Sequence, residues 1–222
     1  MANDKILKSW NVNASAWIQT IENNEIQSRQ LITNQAIINA IFERQPKKVL
    51  DAGCGEGWLV RELHRNGIEA HGFDGVKKLI DQAQLKKEGT FFHLNYDDIR
   101  NGQNKELSQY DVIVFNYAIF EKENVDTLFL KLKKHLSPQG VFIIQTISDK
   151  NKLFSSRGKD GWMTEDWKTL STDYPTSFQW YYRSEEEWKS VFALAGLSVV
   201  EEKEIIHPLS DEVFSVIYVL RI

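Results

Sequence analysis

Apolar residues along this chain change period repeatedly, and the changes mark alternating helices and strands. Residues 13–44 carry helical spacing, in two pieces, with Ile37, Ile38, Ile41 and Phe42 forming a stripe that Pro46 closes. A short apolar run at 48–52 reads as a first strand. Leu59 and Leu63 then carry a helix to a stop at Asn66-Gly67. A second strand at 69–73 ends before Asp74, and Val76, Leu79, Ile80 and Ala83 mark the helix after it. Strands at 90–94 and 111–115 follow, the latter with the continuous apolar run of a strand covered on both faces. Val125, Leu128, Phe129, Leu132 and Leu136 have helical spacing, and Pro138-Gln139-Gly140 turns the chain into a strand at 141–145. Ser184-x-x-Glu187 is a capping box before a helix lined by Trp188, Phe192 and Ala195. Strands at 197–205 and 213–221 finish the chain.

Strands alternating with helices predict an α/β domain with a parallel sheet covered on both faces. Only about seven residues join the last two strands, too few for a parallel crossover, so the seventh strand runs antiparallel. One domain over 1–222 is expected, with two segments outside the rhythm: 1–45 and 147–183. The second is polar yet dense in aromatics, from Phe154 and Trp162 to Trp167 and Trp180. It reads either as a pocket wall or as a small satellite core under a long loop.

The densest chemical signal is Asp51-Ala-Gly53-Cys-Gly55-Glu-Gly57-Trp58, a strand, a glycine turn and a helix start. The glycines allow a sharp turn and close approach of a ligand to the backbone, and the helix start offers unpaired N–H groups. A dinucleotide site wants G-x-G-x-x-G, whereas here position 58 is Trp and an acid stands two residues before the first glycine. Asp74, at the end of the second strand, has the place of an acid that accepts from a ribose diol, and can equally cap the next helix. Asn116-Tyr117-Ala118 follows the fourth strand at the carboxyl edge, where open α/β sheets bind ligands.

The turn resembles the first motif, D-x-G-x-G-x-G, of class I S-adenosylmethionine-dependent methyltransferases, and the order of later elements agrees over 47–221. More narrowly, Trp10-x-x-Asn13-Ala-x-x-Trp17, then Ser28-Arg29 and Thr33, then the glycine turn, is similar to a bacterial group of small-molecule methyltransferases. The resemblance implies a Rossmann-like seven-stranded, mostly parallel sheet with an antiparallel last strand. It implies S-adenosyl-L-methionine as cofactor, held by Asp51, Gly53, Gly55, Trp58 and Asp74, with Asn116 beside the methionine portion. Family members often carry an acid after the third strand that accepts from the adenine amino group. Here Asn95 has that place, with Tyr96 next to the ring, and a shifted register gives Asp97 instead. Helices ahead of the first strand often form a lid, which makes 1–45 a lid. Arg29 then either pairs with the cofactor carboxylate or sits on a solvated helix face.

The acceptor site must come from what else leaves the carboxyl edge, namely 147–183 and the turn at 206–212. Trp180, Tyr182, Arg183 and His207 are the candidate lining residues. His207 and Tyr182 are the candidate catalytic groups, His207 as general base or else as a solvated turn histidine. Arg183 suits a substrate carboxylate.

Composition narrows the partners. The net charge is -4 and the densest basic run is Lys131-x-Lys133-Lys134, which argues against nucleic acid. The prolines of amino-methylating nucleic-acid enzymes are missing after the fourth strand, as is a Pro-Cys nucleophile. The single Cys54 rules out an internal disulfide and a multi-cysteine metal site. No apolar stretch of about 18 residues and no signal-peptide pattern occurs, so the chain reads as cytoplasmic with no membrane partner. The expected activity is methyl transfer to a small-molecule substrate. A protein or peptide acceptor, a non-catalytic S-adenosylmethionine-binding module and a nicotinamide-dependent oxidoreductase are the alternatives.

Overall fold

A computed structural model describes residues 2–152 and 160–222. Helix α1 (Ala2–Glu22) leads through a π-helical turn (Arg29–Thr33) into α2 (Asn34–Phe42). Then β1 (Lys48–Ala52), α3 (Trp58–Arg65), β2 (Glu69–Asp74), α4 (Lys77–Leu85), β3 (Thr90–His93), α5 (Tyr96–Arg100), β4 (Tyr110–Asn116), α6 (Val125–Leu132) and β5 (Leu136–Ile147) alternate. A hairpin of β6 (Gly161–Glu165) and β7 (Phe178–Tyr182) follows, then α7 (Glu185–Leu194), β8 (Ser198–Ile206) and β9 (Val213–Arg221).

The main sheet has seven strands in the order β3-β2-β1-β4-β5-β9-β8. Strands β1 to β5 pair in parallel, and β9 is antiparallel to both β5 and β8. This is the mostly parallel α/β sheet that the alternation predicts. Period-2 geometry splits the core in two. Ile113 and Phe115 of β4 pack on one face with Phe129 of α6 and Phe192 of α7. Val112 and Val114 pack on the other with Ile37 and Ile41 of α2, Leu59 of α3 and Ile80 of α4. A strand buried on both sides can be apolar throughout, which is why β4 stands out in the sequence.

Several expectations are corrected. The first helix begins at Ala2, not near residue 13, because Ile6 and Ala14 are already buried on its inner face. Strand β5 starts at Leu136, with Pro138 to Gly140 inside a register shift against β4 rather than in a separate turn. Segment 147–183 contains the two-stranded β6–β7 sheet, which no local period announces. Phe154 lies outside the described residues. Among the described residues, no helix is long and apolar enough to cross a membrane.

Candidate active site

Strands β1 and β4 are neighbours, although β2 and β3 intervene in the chain. Connections therefore leave β1 and β4 in opposite directions, and a crevice opens at their carboxyl ends. A cavity of about 410 Å³ occupies that crevice, with Gly53, Gly55 and Trp58 in its wall. Gly53 and Cys54 donate their N–H groups to the Phe73 carbonyl at 2.8 and 3.0 Å, which ties the loop to the end of β2. Gly57 has φ +84, and a Cβ there would lie 2.5 Å from the Phe91 ring. Gly55 has φ +56 and open space toward Trp17 Nε1, 3.6 Å from a built Cβ. Gly57 thus serves packing, while Gly55 presents bare backbone to the cavity.

Asp51 lies beneath this loop, 2% exposed, and does not itself line the cavity. Its Oδ1 has no hydrogen-bond partner among the described residues. Burial, then the Asp74 and Glu56 carboxylates, push its pKa up to about 8, while Arg29 pulls it down. Asp74 does line the cavity, and its two oxygens accept the Gly55 N–H at 2.9 Å and the Val76 N–H at 2.8 Å. It braces the glycine loop and the entry to α4, whose N-cap is Val76. Burial raises its pKa against those two bonds. Glu56 is buried and paired with Arg61 at 2.5 Å.

Arg29, in the π-helical turn, points over Trp58 at 5.0 Å and Trp17 at 5.9 Å from the ring centroids. Its guanidinium makes no ion pair or hydrogen bond among the described residues, while its backbone N–H donates to the Ile26 carbonyl at 3.1 Å. Desolvation lowers its pKa, while Glu56, Tyr117 and Asp51 raise it. An isolated π-turn is itself a common mark of a functional position in a helix.

Beyond β3 the site departs from the pattern drawn from the family. Asn95 lines the cavity, but its side-chain oxygen accepts the Asp98 N–H at 2.9 Å and Asp98 answers to the Asn95 N–H at 2.8 Å. This capping box starts α5 and engages the oxygen expected to face an adenine amino group. Asp97 is exposed and ion-paired with Arg100 at 2.7 Å. Tyr96 turns its hydroxyl to the Ala118 carbonyl at 3.1 Å and packs on Phe73 and Phe115. Asn116 lines the cavity with a buried Oδ1 that has no partner among the described residues. Tyr117, next to it, has φ +51, an uncommon conformation for a bulky residue.

The far wall is aromatic. Trp10 packs on Phe178 at 4.7 Å and on Trp17 at 5.3 Å, and Trp167 stacks on Phe178 at 5.7 Å. Phe120 and Trp180 complete the wall, 6.3 Å apart. The cluster is therefore both a satellite core and a pocket wall. Polar contacts fasten α1 to the hairpin connection over it. The Asn13 side chain donates to the Thr176 carbonyl at 2.9 Å and accepts its N–H at 3.2 Å. Tyr174 donates to the Thr20 hydroxyl at 2.8 Å. Glu25 accepts the Thr172 N–H and hydroxyl at 3.0 and 2.6 Å, which lowers its pKa to about 2.

Of the four candidate acceptor residues, Trp180 alone lines the cavity. Tyr182 shares its face of β7 but lines a separate small void against β5. Arg183 is 2% exposed and donates to the Glu121 and Lys122 carbonyls at 2.5 and 2.7 Å, between the Tyr181 and Trp188 rings. It holds the chain after β4 and lines that small void rather than the cavity, with its Nε and Nη1 without hydrogen-bond partners among the described residues. His207 sits at the correct edge but at the sheet margin, because β8 lies outside β9. Its Nδ1 accepts the Leu209 N–H at 3.2 Å, closing the hairpin turn. His93, at the end of β3, contacts the carbonyl of cavity residue Gly75 at 3.2 Å. Sequence reasoning missed Ile6 and Leu7, although their spacing with Trp10 extends the helical period upstream. It also missed Phe120, Glu121 and Glu165, which no local pattern flags.

A family model described as "Methyltransferase domain" matches residues 26–202. A ubiquinone biosynthesis O-methyltransferase of Rickettsia typhi is 31% identical over 109 residues, 48% of this chain and 44% of that protein. The chain thus spans about half the length of the curated relatives it matches. Among solved structures, an S-adenosylmethionine-dependent methyltransferase from Leishmania major has a TM-score of 0.64 at 20% identity, covering 98% of this chain and 82% of that one. One from Clostridium acetobutylicum has a TM-score of 0.60 at 13% identity, covering 91% and 95%. The family model spans most of the sheet and the glycine loop, and so the chain belongs to the methyltransferase-domain family.

Proposed function

We propose that the protein transfers a methyl group to a small-molecule acceptor enclosed between the glycine loop and the aromatic wall. The observation that carries this reading is one of unmet polar groups. Among the described residues, a buried acid whose Oδ1 has no hydrogen-bond partner, Asp51, lies under the cavity whose wall holds an arginine without an ion pair, Arg29. Leaving such groups without partners is costly, and for Asp51 the cost shows as a raised pKa, so a ligand that completes them is favoured. An amino-acid end with an ammonium and a carboxylate has the right chemistry for both. Asn116 offers another unmet acceptor, and Asp74 keeps spare lone pairs for ribose hydroxyls beyond its two backbone bonds.

S-adenosylmethionine supplies, when bound, a methyl group already made electrophilic by its sulfonium. The chain's own work is then orientation and exclusion of water. Trp10, Phe120, Trp167 and Trp180 make the dry wall, and the Asn13–Thr176 and Glu25–Thr172 contacts hold that wall shut. A cavity of about 410 Å³ fits a small acceptor better than a folded protein surface. Tyr182 and His207 are left out of this mechanism, since neither lines the cavity.

The experiment is calorimetry with two ligands. Arg29→Ala should weaken S-adenosylmethionine by about 1–3 kcal/mol, the range of a charge-assisted contact, and leave adenosine unchanged because it has no carboxylate. Equal loss for both ligands would refute the pairing.

A further inference from the structure

The carboxylates of the cavity wall are Glu56, Asp74, Asp97, Glu121 and Glu165, whereas Arg29 is its one cation among the described residues. Four of the five acids are already engaged. Glu56 pairs with Arg61, and Asp74 takes two backbone N–H groups. Asp97 and Glu121 both pair with Arg100. Glu165 has no ion pair among the described residues, and its Oε1 accepts the Trp167 N–H at 3.0 Å.

Its position follows from the hairpin register. Glu165 is opposite Phe178, and Met163 is opposite Trp180, so these side chains share one face of the two-stranded sheet. Phe178 and Trp180 line the cavity, and Glu165 lines it with them. Trp167 has φ +48, a strained turn that its N–H bond to Glu165 helps to hold. The carboxylate is therefore fixed among aromatic rings before any acceptor arrives. A negative group beside electron-rich ring faces attracts a cation and repels an anion.

We propose that the acceptor is an amine, held as an ammonium by Glu165 and the rings of Trp167, Phe178 and Trp180. The inference rests on the methyltransferase reading above and names its substrate class. The ammonium nitrogen must lose a proton before reacting. Glu165 takes that proton and passes it to water. The nitrogen lone pair then forms the new N–C bond while the C–S bond of the donor breaks, and the sulfur keeps that electron pair.

The test compares three ligands of similar size: 2-phenylethylamine, 2-phenylethanol and 3-phenylpropanoate. Each is titrated into the full chain saturated with S-adenosylhomocysteine, with fluorescence of the wall tryptophans as the readout. The amine should bind at least about tenfold more tightly than the other two, as a partly desolvated ion pair over rings allows. Glu165→Gln keeps an acceptor for the Trp167 N–H and should abolish that preference with cofactor affinity unchanged. Equal or absent binding of all three ligands, a preference for the alcohol or the carboxylate, or an amine preference that survives Glu165→Gln would each overturn the proposal. Failure of the wild-type chain to take up S-adenosylhomocysteine would instead sink the methyltransferase reading itself.

Discussion

The glycine loop and the aromatic wall border the same cavity but are built by opposite means. The loop is one contiguous stretch whose N–H groups and φ angles do the work, with Gly53 tied to Phe73 and Gly55 to Asp74. The wall is assembled by side chains from distant parts of the chain. Its fastenings join residues 147 to 163 positions apart, Glu25 to Thr172 and Asn13 to Thr176. Local backbone geometry can be written in a short motif, whereas a wall made of long-range contacts leaves no such signature. The loop should therefore be intolerant of small changes, and the wall should give way gradually.

The sharpest break comes at Gly57. An alanine there must adopt φ +84 and would place its Cβ 2.5 Å from the Phe91 ring and 3.0 Å from the Ala83 Cβ. Overpacking combined with a left-handed backbone should cost about 3 kcal/mol. Urea unfolding of Gly57→Ala measures it. A loss below about 1 kcal/mol would mean that Phe91 moves aside freely and that the loop is less rigid than its geometry implies.

How legible each region is follows from the same contrast. Strands β1 and β9 begin and end where the apolar pattern places them, because the pattern is local and the strands are buried. Asp51 and the three glycines are legible for that reason too. The β6–β7 hairpin is not, since Trp162 and Thr164 alternate with Met163 and Glu165, so both faces of a half-exposed strand mix polar and apolar residues. Asn95 lines the cavity, but its capping role is not legible beforehand because a capping box and a ligand contact ask for the same residue type. Arg183 is misread because a buried arginine on backbone carbonyls and a substrate-binding one look alike in sequence. His207 is misread because strand direction is legible and strand order is not. Its edge is correct, but its distance from β4 depends on β9 inserting between β5 and β8.

The second prediction concerns the charge under the loop. In the ligand-free fold Asp51 titrates at about 8, against an ordinary value of 3.8, through burial and its acidic neighbours. The folded chain therefore holds a proton that the unfolded chain releases. Stability from this group is greatest below about 4 and declines as pH rises toward about 8. Binding runs the other way. An ammonium needs the carboxylate, so below about 8 cofactor uptake must expel a proton, and affinity should rise up to about tenfold per pH unit. Calorimetry in buffers of different ionisation enthalpy counts the proton. Asp51→Asn should bind more weakly and lose the dependence. A wild-type affinity that is flat between pH 6 and 8 would leave Asp51 without that role.

The smallest effect belongs to the wall. Glu25 is half-buried, and the hydrogen bonds from Thr172, then that from Asn23, hold its pKa near 2, below the ordinary 4.5. A depressed carboxylate contributes while it is ionised. The contact is complete above about 4.5 and is lost as pH falls through about 2. Glu25→Gln removes the charge but keeps an oxygen for the Thr172 N–H. The fold should survive, since the aromatic packing of Trp10, Trp17 and Trp167 does not depend on this contact. What should change is opening: the Thr172 amide should exchange faster with solvent, and the cofactor should dissociate somewhat faster at neutral pH. Exchange at Phe73 and Gly53, on the loop side, should stay as it was. Equal acceleration on both sides would show that loop and wall open as one unit, and the division between a rigid floor and a yielding roof would fall.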